Sequence, residues 1–321
     1  MAIQTDSSWI NRLAALVGVL LLAFVSTTSA VTVPDLLVSS GWTDNILRYE
    51  VATKNFVGVF ASGGGLDAPR GLTYGPDGNL YVGTGGTNAV LRYNGATGAF
   101  IDVFAARVEL AGPVGLLFGP DDNLYVSSFG TDNVLRYDGG TGAFIDVFAT
   151  GGGLDGPDDL MFGPDGNLYV SSTRTDTVLR YDATGAFIDV FAAGGGLDAP
   201  TGLAFGPDSN LYVSSTYSDK VLRYDGATGA LLGTFAGSSE LDGPRALVFA
   251  PDGNLYVSGV FSDNILRYDG VTGAFVDVFA SGDGLDGPMF MTLIPEPATT
   301  LLLGLGAFGL LRERKEERRE Q

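Results

Sequence analysis

Short apolar runs recur along most of the chain, and glycine, proline, aspartate or asparagine residues bound each of them. In residues 157–196 the apolar positions alternate with polar ones or are contiguous over four to six residues. Such runs predict half-buried or fully buried β-strands. We place four strands here, lettered a to d in chain order, at residues 159–162, 168–171, 178–181 and 186–191.

The tripeptide Leu-Arg-Tyr gives the period of this pattern. It occurs six times, and the copies end at Tyr49, Tyr93, Tyr137, Tyr181, Tyr224 and Tyr268. Successive copies are 44, 44, 44, 43 and 44 residues apart. A period of about 40–45 residues with four strands per unit is typical of a β-propeller, so we predict an all-β fold with four antiparallel strands per blade. The arginine of each copy is predicted to pair with a repeated aspartate of the framework.

The first repeat lacks its strand a, and the chain supplies one at the far end. Residues 36–40 align with residues 80–84, which are a strand b. Residues 289–293 align with the strand a at residues 245–249. We therefore predict six complete blades within residues 31–293, with the ring closed by residues 289–293 pairing with the N-terminal blade.

One unit resembles a known repeat. The pattern Gly-Leu-x-Phe-Gly-Pro-Asp-Gly-Asn-Leu-Tyr-Val-Ser-Ser is similar to the NHL repeat, and it also resembles the six-bladed family that contains gluconolactonase-like enzymes and streptogramin lyases. The resemblance covers about residues 36–293 and implies the fold more strongly than any activity, because this propeller hosts many functions.

The N-terminus has the pattern of a secretory signal. An apolar run at residues 13–25 follows Arg12, and the small residues 26–30 come next. This order predicts a signal peptide at residues 1–30, cleaved near Ala30. The alternative, an uncleaved anchor, is disfavoured because the run is short.

The C-terminus carries Pro295-Glu296-Pro297, then an apolar stretch at residues 298–311, then a basic cluster that begins with Arg312 and Arg314. The stretch predicts a short transmembrane helix with the tail in the cytoplasm and the repeats outside. This order of parts, at residues 294–321, resembles the PEP-CTERM sorting signal. The resemblance implies recognition by an exosortase, a membrane-embedded enzyme of Gram-negative bacteria that cleaves near Pro-Glu-Pro.

The composition of the chain excludes several kinds of partner and catalytic group. The net charge is −19, and the chain has no cysteine and no histidine. The acidic surface disfavours nucleic acid as a partner, and the missing residues exclude disulfides, thiol nucleophiles and histidine bases. We expect no cofactor. Calcium bound by the aspartates of the a–b and c–d turns is the alternative, but aspartate in such turns usually bonds its own backbone.

The repeats differ mainly in two places, and both are predicted on the face that bears the d–a and b–c loops. One position of the b–c loop reads Trp42, Gly86, Gly130, Arg174, Tyr217 and Phe261. The residue that follows the proline at the start of strand a reads Arg70, Val114, Asp158, Thr201, Arg245 and Met289. Large aromatic residues and arginine are the types favoured in binding surfaces.

These positions, together with Phe129 directly before Gly130, give our candidate binding residues. They are Trp42, Arg70, Phe129, Asp158, Arg174, Tyr217, Arg245 and Phe261. A surface of this kind suits a glycan or a peptide, whereas the alternative is sequence drift in exposed loops. The candidate sorting residues are Pro295, Glu296, Pro297, Arg312 and Arg314.

We predict no catalytic residue. Lyases of the resembling family are understood to use histidine, and this chain has none. Lactonase-like members coordinate a divalent cation with convergent oxygen ligands, but Asp158 and Asp159 are adjacent on a strand and should point to opposite faces.

The predicted function is a non-enzymatic binding or matrix module, held first at the inner membrane and then at the cell surface, outer membrane or extracellular matrix. Its predicted partners are an exosortase-type enzyme and a polysaccharide or surface protein. A lactonase- or lyase-like enzyme and a purely structural surface component are the alternatives.

Overall fold

A computed structural model describes residues 33–295 of the chain. The predicted signal peptide and the predicted transmembrane helix at residues 298–311 lie outside this range. Among the described residues, no helix is both long enough and apolar enough to span a membrane.

The chain forms six four-stranded antiparallel sheets. Blade 1 contains β1 (Leu36–Ser40), β2 (Asn45–Glu50) and β3 (Asn55–Ser62). Blade 2 contains β4 (Pro69–Tyr74), β5 (Leu80–Thr84), β6 (Ala89–Tyr93) and β7 (Phe100–Ala106). Blade 3 contains β8 (Pro113–Phe118), β9 (Leu124–Ser128), β10 (Asn133–Tyr137) and β11 (Phe144–Thr150).

The later blades repeat this order. Blade 4 contains β12 (Pro157–Phe162), β13 (Leu168–Ser172), β14 (Thr177–Tyr181) and β15 (Phe187–Ala193). Blade 5 contains β16 (Pro200–Phe205), β17 (Leu211–Ser215), a 3-10 turn (Thr216–Ser218), β18 (Lys220–Tyr224) and β19 (Leu231–Ala236). Blade 6 contains β20 (Pro244–Phe249), β21 (Asn254–Gly259), β22 (Asn264–Asp269) and β23 (Phe275–Ser281). The last strand, β24 (Pro288–Leu293), completes blade 1.

The ring closes as predicted. β24 pairs antiparallel with β1, so that Leu36 lies opposite Leu293 and Val38 opposite Met291. Beyond this pairing, the N–H of Ile294 donates to the carbonyl of Asp35 over 2.8 Å. The first strands of neighbouring blades contact one another all the way round the ring. The six-bladed all-β propeller with four strands per blade is therefore confirmed.

Both faces of each blade are buried against neighbours. In blade 2, Tyr81 packs edge-to-face on Phe104 of its own blade and on Phe118 of blade 3, with ring centroids 4.8 Å apart in each pair. Tyr93 of the Leu-Arg-Tyr copy points the other way and packs with residues of blade 1. The two tyrosines face opposite sides because Tyr93 lies opposite Leu80, one position before Tyr81, and side chains alternate along a strand.

The repeated arginines pair with repeated aspartates, as predicted. Arg92 of β6 contacts Asp102 of the adjacent β7 with an N–O distance of 2.6 Å. Equivalent pairs join Arg136 to Asp146, Arg180 to Asp189, and Arg267 to Asp277. Blades 1 and 5 have Gly58 and Gly233 opposite their arginines. Arg48 turns instead to Asp35, again at 2.6 Å.

Each blade is also tied to the next by an aspartate or asparagine of its b–c loop, and we call this contact the Asx clasp. The side-chain oxygen accepts a backbone N–H of the following d–a loop over 2.7–2.9 Å. The six acceptors are Asp44, Asn88, Asp132, Asp176, Asp219 and Asp263. All have φ between 49° and 56°, a conformation that aspartate and asparagine tolerate better than most residues.

Candidate ligand-binding face

The d–a and b–c loops of each blade lie on one side of the ring, which we call the loop face. In blade 2, Pro69 at the start of β4 lies opposite Thr84 at the end of β5. Beyond this pair, the N–H of Gly85 donates to the carbonyl of Ala68 over 3.0 Å. The a–b and c–d turns therefore form the opposite side, the turn face. Both variable positions identified from the sequence lie on the loop face.

Three of the candidate residues are exposed aromatic side chains. Trp42 is 56% exposed, Tyr217 is 69% exposed and Phe261 is 50% exposed. They belong to blades 1, 5 and 6, which are consecutive round the ring. The equivalent residues of blades 2 and 3 are Gly86 and Gly130. The loop face is thus aromatic on one half.

Backbone contacts hold these aromatic residues in place. The N–H of Trp42 donates to Asp286 O over 3.3 Å, and the N–H of Phe261 donates to Asp242 O over 3.2 Å. Both rings lie over a glycine of the d–a loop. A Cβ on Gly287 would come within 2.7 Å of the Trp42 ring, and one on Gly243 within 2.5 Å of the Phe261 ring. Glycine at these two positions leaves the space that the rings occupy beside the loop.

Phe129 and Arg174 form a separate contact. The guanidinium carbon of Arg174 lies 4.5 Å from the centre of the Phe129 ring, within the range of a cation–π interaction. Arg174 also pairs with Asp155 at 2.8 Å and with Asp132 at 3.4 Å. Phe129 is half-buried against the core between blades 1 and 2. These two residues therefore bridge blades 3 and 4.

Three further candidates belong to the inner strands of alternate blades. Asp158 of blade 4 and Arg245 of blade 6 form an ion pair at 2.6 Å, although they are 87 residues apart in the chain. Asp158 is only 2% exposed. Its Oδ1 atom and the Nε atom of Arg245 are buried and have no hydrogen-bond partner among the described residues. The inner strands thus contain polar atoms that no residue of the described range pairs with.

Arg70 of blade 2 is the third member of this inner group. Its Nε atom lies over the first residue of the b–c loop, 2.7 Å from where a Cβ on Gly85 would be. This Nε is also buried without a partner among residues 33–295. Burial lowers the pKa of Arg70; the negative charge of Asp158 opposes this shift, and the positive charge of Arg245 adds to it. The three charged side chains therefore interact electrostatically.

Asp158 and Asp159 point to opposite faces, as predicted. The carboxylate of Asp159 accepts the N–H of Leu203 in blade 5 over 2.9 Å and that of Leu160 over 2.9 Å. Burial raises the pKa of Asp159 to about 7, against the effect of these two hydrogen bonds. Four of the other blades have glycine or alanine there, and at Gly71 and Gly115 the next blade's backbone lies too close for a larger side chain. In the sequence, Asp159 could have been noticed because the equivalent position of the other five repeats is glycine, alanine or phenylalanine.

On the turn face, the polar side chains form hydrogen bonds within their own turns. In blade 2, Asp77 accepts the N–H of Asn79 over 3.0 Å and the hydroxyl of Tyr81 over 3.0 Å. In blade 3, Asp138 of the c–d turn accepts the N–H and the hydroxyl of Thr141 over 2.8 and 2.7 Å. Among residues 33–295 there is no group of three acidic side chains that could hold a metal ion. The turn carboxylates thus bond their own turns, which is the usual arrangement.

The eight candidates therefore do not form one site. Trp42, Tyr217 and Phe261 are exposed on the loop face, while Phe129 and Arg174 contact each other. Arg70, Asp158 and Arg245 lie on the inner strands of alternate blades, where Asp158 and Arg245 form an ion pair. The sorting residues Glu296, Pro297, Arg312 and Arg314 lie outside the described range, and Pro295 is its last residue.

The fold is shared with solved structures of diverse proteins. A streptogramin B lyase structure matches with a TM-score of 0.61 and 14% identity, over 80% of this chain and 83% of that one. A chain of a nidogen–laminin complex matches with a TM-score of 0.66 and 18% identity, over 81% and 98% of the two chains. A protein of unknown function from Bacteroides caccae matches with a TM-score of 0.62 and 14% identity, over 80% and 98%. Identities this low show the fold alone.

The C-terminal segment matches a family model. Residues 293–315 match the PEP-CTERM protein-sorting motif, which confirms the resemblance found in the sequence. The motif implies export and sorting to the cell envelope or surface of a Gram-negative bacterium, with processing by an exosortase. No curated protein matches the chain.

Proposed function

We propose that this protein is an exported, non-enzymatic binding module of the cell surface or extracellular matrix, and that it binds its ligand on the loop face. The observation that carries the proposal is the grouping of exposed Trp42, Tyr217 and Phe261 on three consecutive blades. Grouped apolar surface on a soluble domain marks an interaction site more often than scattered residues do. Flat aromatic rings suit the apolar faces of sugars, and a polysaccharide is the ligand class we favour.

The sorting motif supports an extracellular role. We propose that residues 1–30 are removed as a signal peptide and that residues 298–311 anchor the chain in the inner membrane until an exosortase-type enzyme acts near Pro295. The mass of the mature protein, isolated from its own cell envelope, tests both cleavages. An intact N-terminus would contradict the first, and an intact C-terminus the second.

An enzymatic role is the second candidate, because the fold is shared with lyases. One of the matching structures is a virginiamycin B lyase from Staphylococcus aureus, described as catalytically inactive when a histidine is replaced by alanine, with quinupristin bound. The present chain has no histidine, so a lyase activity here would need a different acid or base. Incubation of the full chain with quinupristin, followed by mass spectrometry, tests this role directly, and a cleaved product would support it.

A glycan array tests the binding role. We expect the full chain to bind at least one polysaccharide and the double variant Trp42→Ala/Tyr217→Ala to lose that binding without a change in melting temperature. The matched control is Val271→Ala, which removes an apolar side chain that is 80% exposed on the turn face. Binding that survives in the double variant, or that is lost equally in the control, would refute the loop face as the site. No binding at all would favour a purely structural role.

A further inference from the structure

The two halves of the loop face differ in charge as well as in aromatic residues. We call the d–a and b–c loops of blades 5, 6 and 1 the aromatic half; they lie at residues 41–44, 194–199, 216–219, 237–243, 260–263 and 282–287. These six loops contain eight Asp or Glu residues and no Lys or Arg. The equivalent loops of blades 2, 3 and 4 contain five acidic and two basic residues. The exposed aromatic side chains therefore lie in the more negatively charged half.

An aspartate accompanies each of the three aromatic residues. In each pair, the backbone N–H of the aromatic residue donates to the backbone carbonyl of the aspartate over 3.2–3.3 Å; the pairs are Trp42 with Asp286, Tyr217 with Asp198, and Phe261 with Asp242. None of these three carboxylates has a basic side chain within 4.0 Å among residues 33–295. Asp198 and Asp242 are exposed and Asp286 is half-buried, so a ligand can reach them from solvent.

Blade 4 shows which group fits this arrangement. Its residue at the aromatic position is Arg174, whose backbone N–H donates to the carbonyl of Asp155 over 3.2 Å, as in the other three pairs. The guanidinium group of Arg174 then pairs with the Asp155 carboxylate at 2.8 Å and lies 4.5 Å from the centre of the Phe129 ring. This face of the protein therefore already holds one cation between a carboxylate and an aromatic ring. Blades 5, 6 and 1 have the same aspartate but place an aromatic side chain, and not a cation, beside it.

We infer that the aromatic half of the loop face binds a polysaccharide that contains unacetylated amino sugars. The apolar face of a sugar ring packs on Trp42, Tyr217 or Phe261, and the ammonium group of that sugar donates to the aspartate of the same pair. A polymer of identical sugars suits a surface on which the same pair recurs on three consecutive blades. The inference rests on the proposed function and makes it more specific, because it names the class of sugar.

A ligand with single positive charges fits this surface better than other ligands do. The net charge of −19 attracts cations and repels anionic polymers. A divalent metal ion needs several convergent oxygen ligands, and residues 33–295 contain no group of three acidic side chains that could hold one. An ammonium group needs only one carboxylate and an aromatic ring, which is what each of the three pairs offers.

Calorimetric titration of the full chain with a β-1,4-linked glucosamine oligomer tests the inference. The comparison ligands are the glucose and N-acetylglucosamine oligomers of the same linkage and length, which differ from it only at C2 and are uncharged. We expect the glucosamine oligomer to bind about tenfold more tightly than either, because only its ammonium groups can pair with the aspartates. This preference should shrink as sodium chloride is added, since the charges are exposed.

The double variant Asp242→Asn/Asp286→Asn should lose most of the preference for glucosamine and keep its affinity for the neutral oligomers. The matched control is Asp67→Asn. Asp67 is exposed and occupies the same place in the loop before blade 2, but its backbone carbonyl accepts the N–H of Gly86 and not that of an aromatic residue. The control should leave the binding unchanged. The melting temperature of each variant shows whether it is folded.

Three results would overturn the inference. They are equal binding of the glucosamine and N-acetylglucosamine oligomers, an equal loss in Asp67→Asn and in the folded double variant, and tighter binding of a lysine oligomer of the same charge. The second result would mean that the overall charge alone attracts the ligand, and the third would make the partner a basic peptide. If neutral polysaccharides bind the array through Trp42 and Tyr217 and the glucosamine oligomer binds no better, the inference fails while the proposed function stands.

Discussion

The loop face and the turn face are built from the same six repeats, but they use their side chains in opposite ways. On the turn face, Asp77 accepts hydrogen bonds from Asn79 and Tyr81, and four later blades repeat this set with nearly the same distances. On the loop face, the b–c loop is held by backbone hydrogen bonds, by the Asx clasp and by a repeated hydroxyl pair such as Thr43 donating to Ser40. The side chain next to the clasp is therefore free to be Trp42 in one blade and Gly86 in another.

This difference shows where a repeat protein can acquire a function. A position varies at little cost when its backbone is held by groups other than its own side chain. The turn face lacks such freedom, because a change at Asp77 leaves the buried hydroxyl of Tyr81 without its acceptor.

The largest expected effect on stability comes from comparing a buried residue that the turn face holds in place with an exposed residue of the loop face. Tyr169 is 1% exposed and packs between Phe191 and Phe205, so Tyr169→Ala should lower the free energy of unfolding by about 3–5 kcal/mol. Phe261→Ala on the loop face should change it by no more than about 0.5 kcal/mol. Urea denaturation measures both. Similar losses in the two variants would show that the loop face also stabilises the fold.

The next effect is a dependence of stability on pH that comes from Asp159. Its folded-state pKa of about 7 is above the value in the unfolded chain, so the folded state binds the proton more tightly. Stability should therefore fall as the pH rises from about 4 to about 7, by up to about 4 kcal/mol. Asp158 and Arg245 lie near this carboxyl and act on it in opposite directions.

The variant Asp159→Asn removes this titration and should flatten the profile between about pH 4 and pH 7. At lower pH both proteins should lose stability, because the turn carboxylates of Asp77 and Asp165 have lowered pKa values and become protonated there. Thermal melts at pH 4.5 and pH 7.5 make the comparison. An unchanged slope in the variant would show that Asp159 is ionised throughout.

A smaller effect tests the Asx clasp. Asp263→Ala removes the acceptor for the N–H of Gly287 and places alanine at a φ of 49°, so it should cost about 1–2 kcal/mol. Asp263→Asn should be nearly neutral, because Asn88 already serves in blade 2. Chemical denaturation of the two variants is the measurement. Equal losses would mean that the charge, and not the hydrogen bond, is what matters.

The smallest expected effect concerns calcium. Since the turn carboxylates such as Asp138 already accept hydrogen bonds from their own turns, millimolar calcium should not move the melting temperature of the full chain. A chelator added to the same protein is the control. A rise of several degrees with calcium would instead place a cation on the turn face.

The sequence predicted the framework well, because that framework repeats. Leu-Arg-Tyr gave the blade count, and the alignment of residues 289–293 gave the closure of the ring. The candidate site was predicted only in its parts. Asp158 and Arg245 belong to two blades that are not neighbours. The repeat pattern in the sequence does not show which side chains of such blades meet. The Asx clasp was visible as a recurring Asp or Asn, but its partner is a backbone N–H of the following d–a loop, which the sequence does not indicate.

The hydrogen bond between Ile294 and Asp35 has a consequence for orientation. It lies where the other blades have their a–b turn, so both ends of the described chain leave the propeller on the turn face. The sorting motif begins at residue 293, at that same point. The motif therefore begins on the side of the ring that bears the closely repeated turns, and the exposed aromatic residues lie on the opposite side.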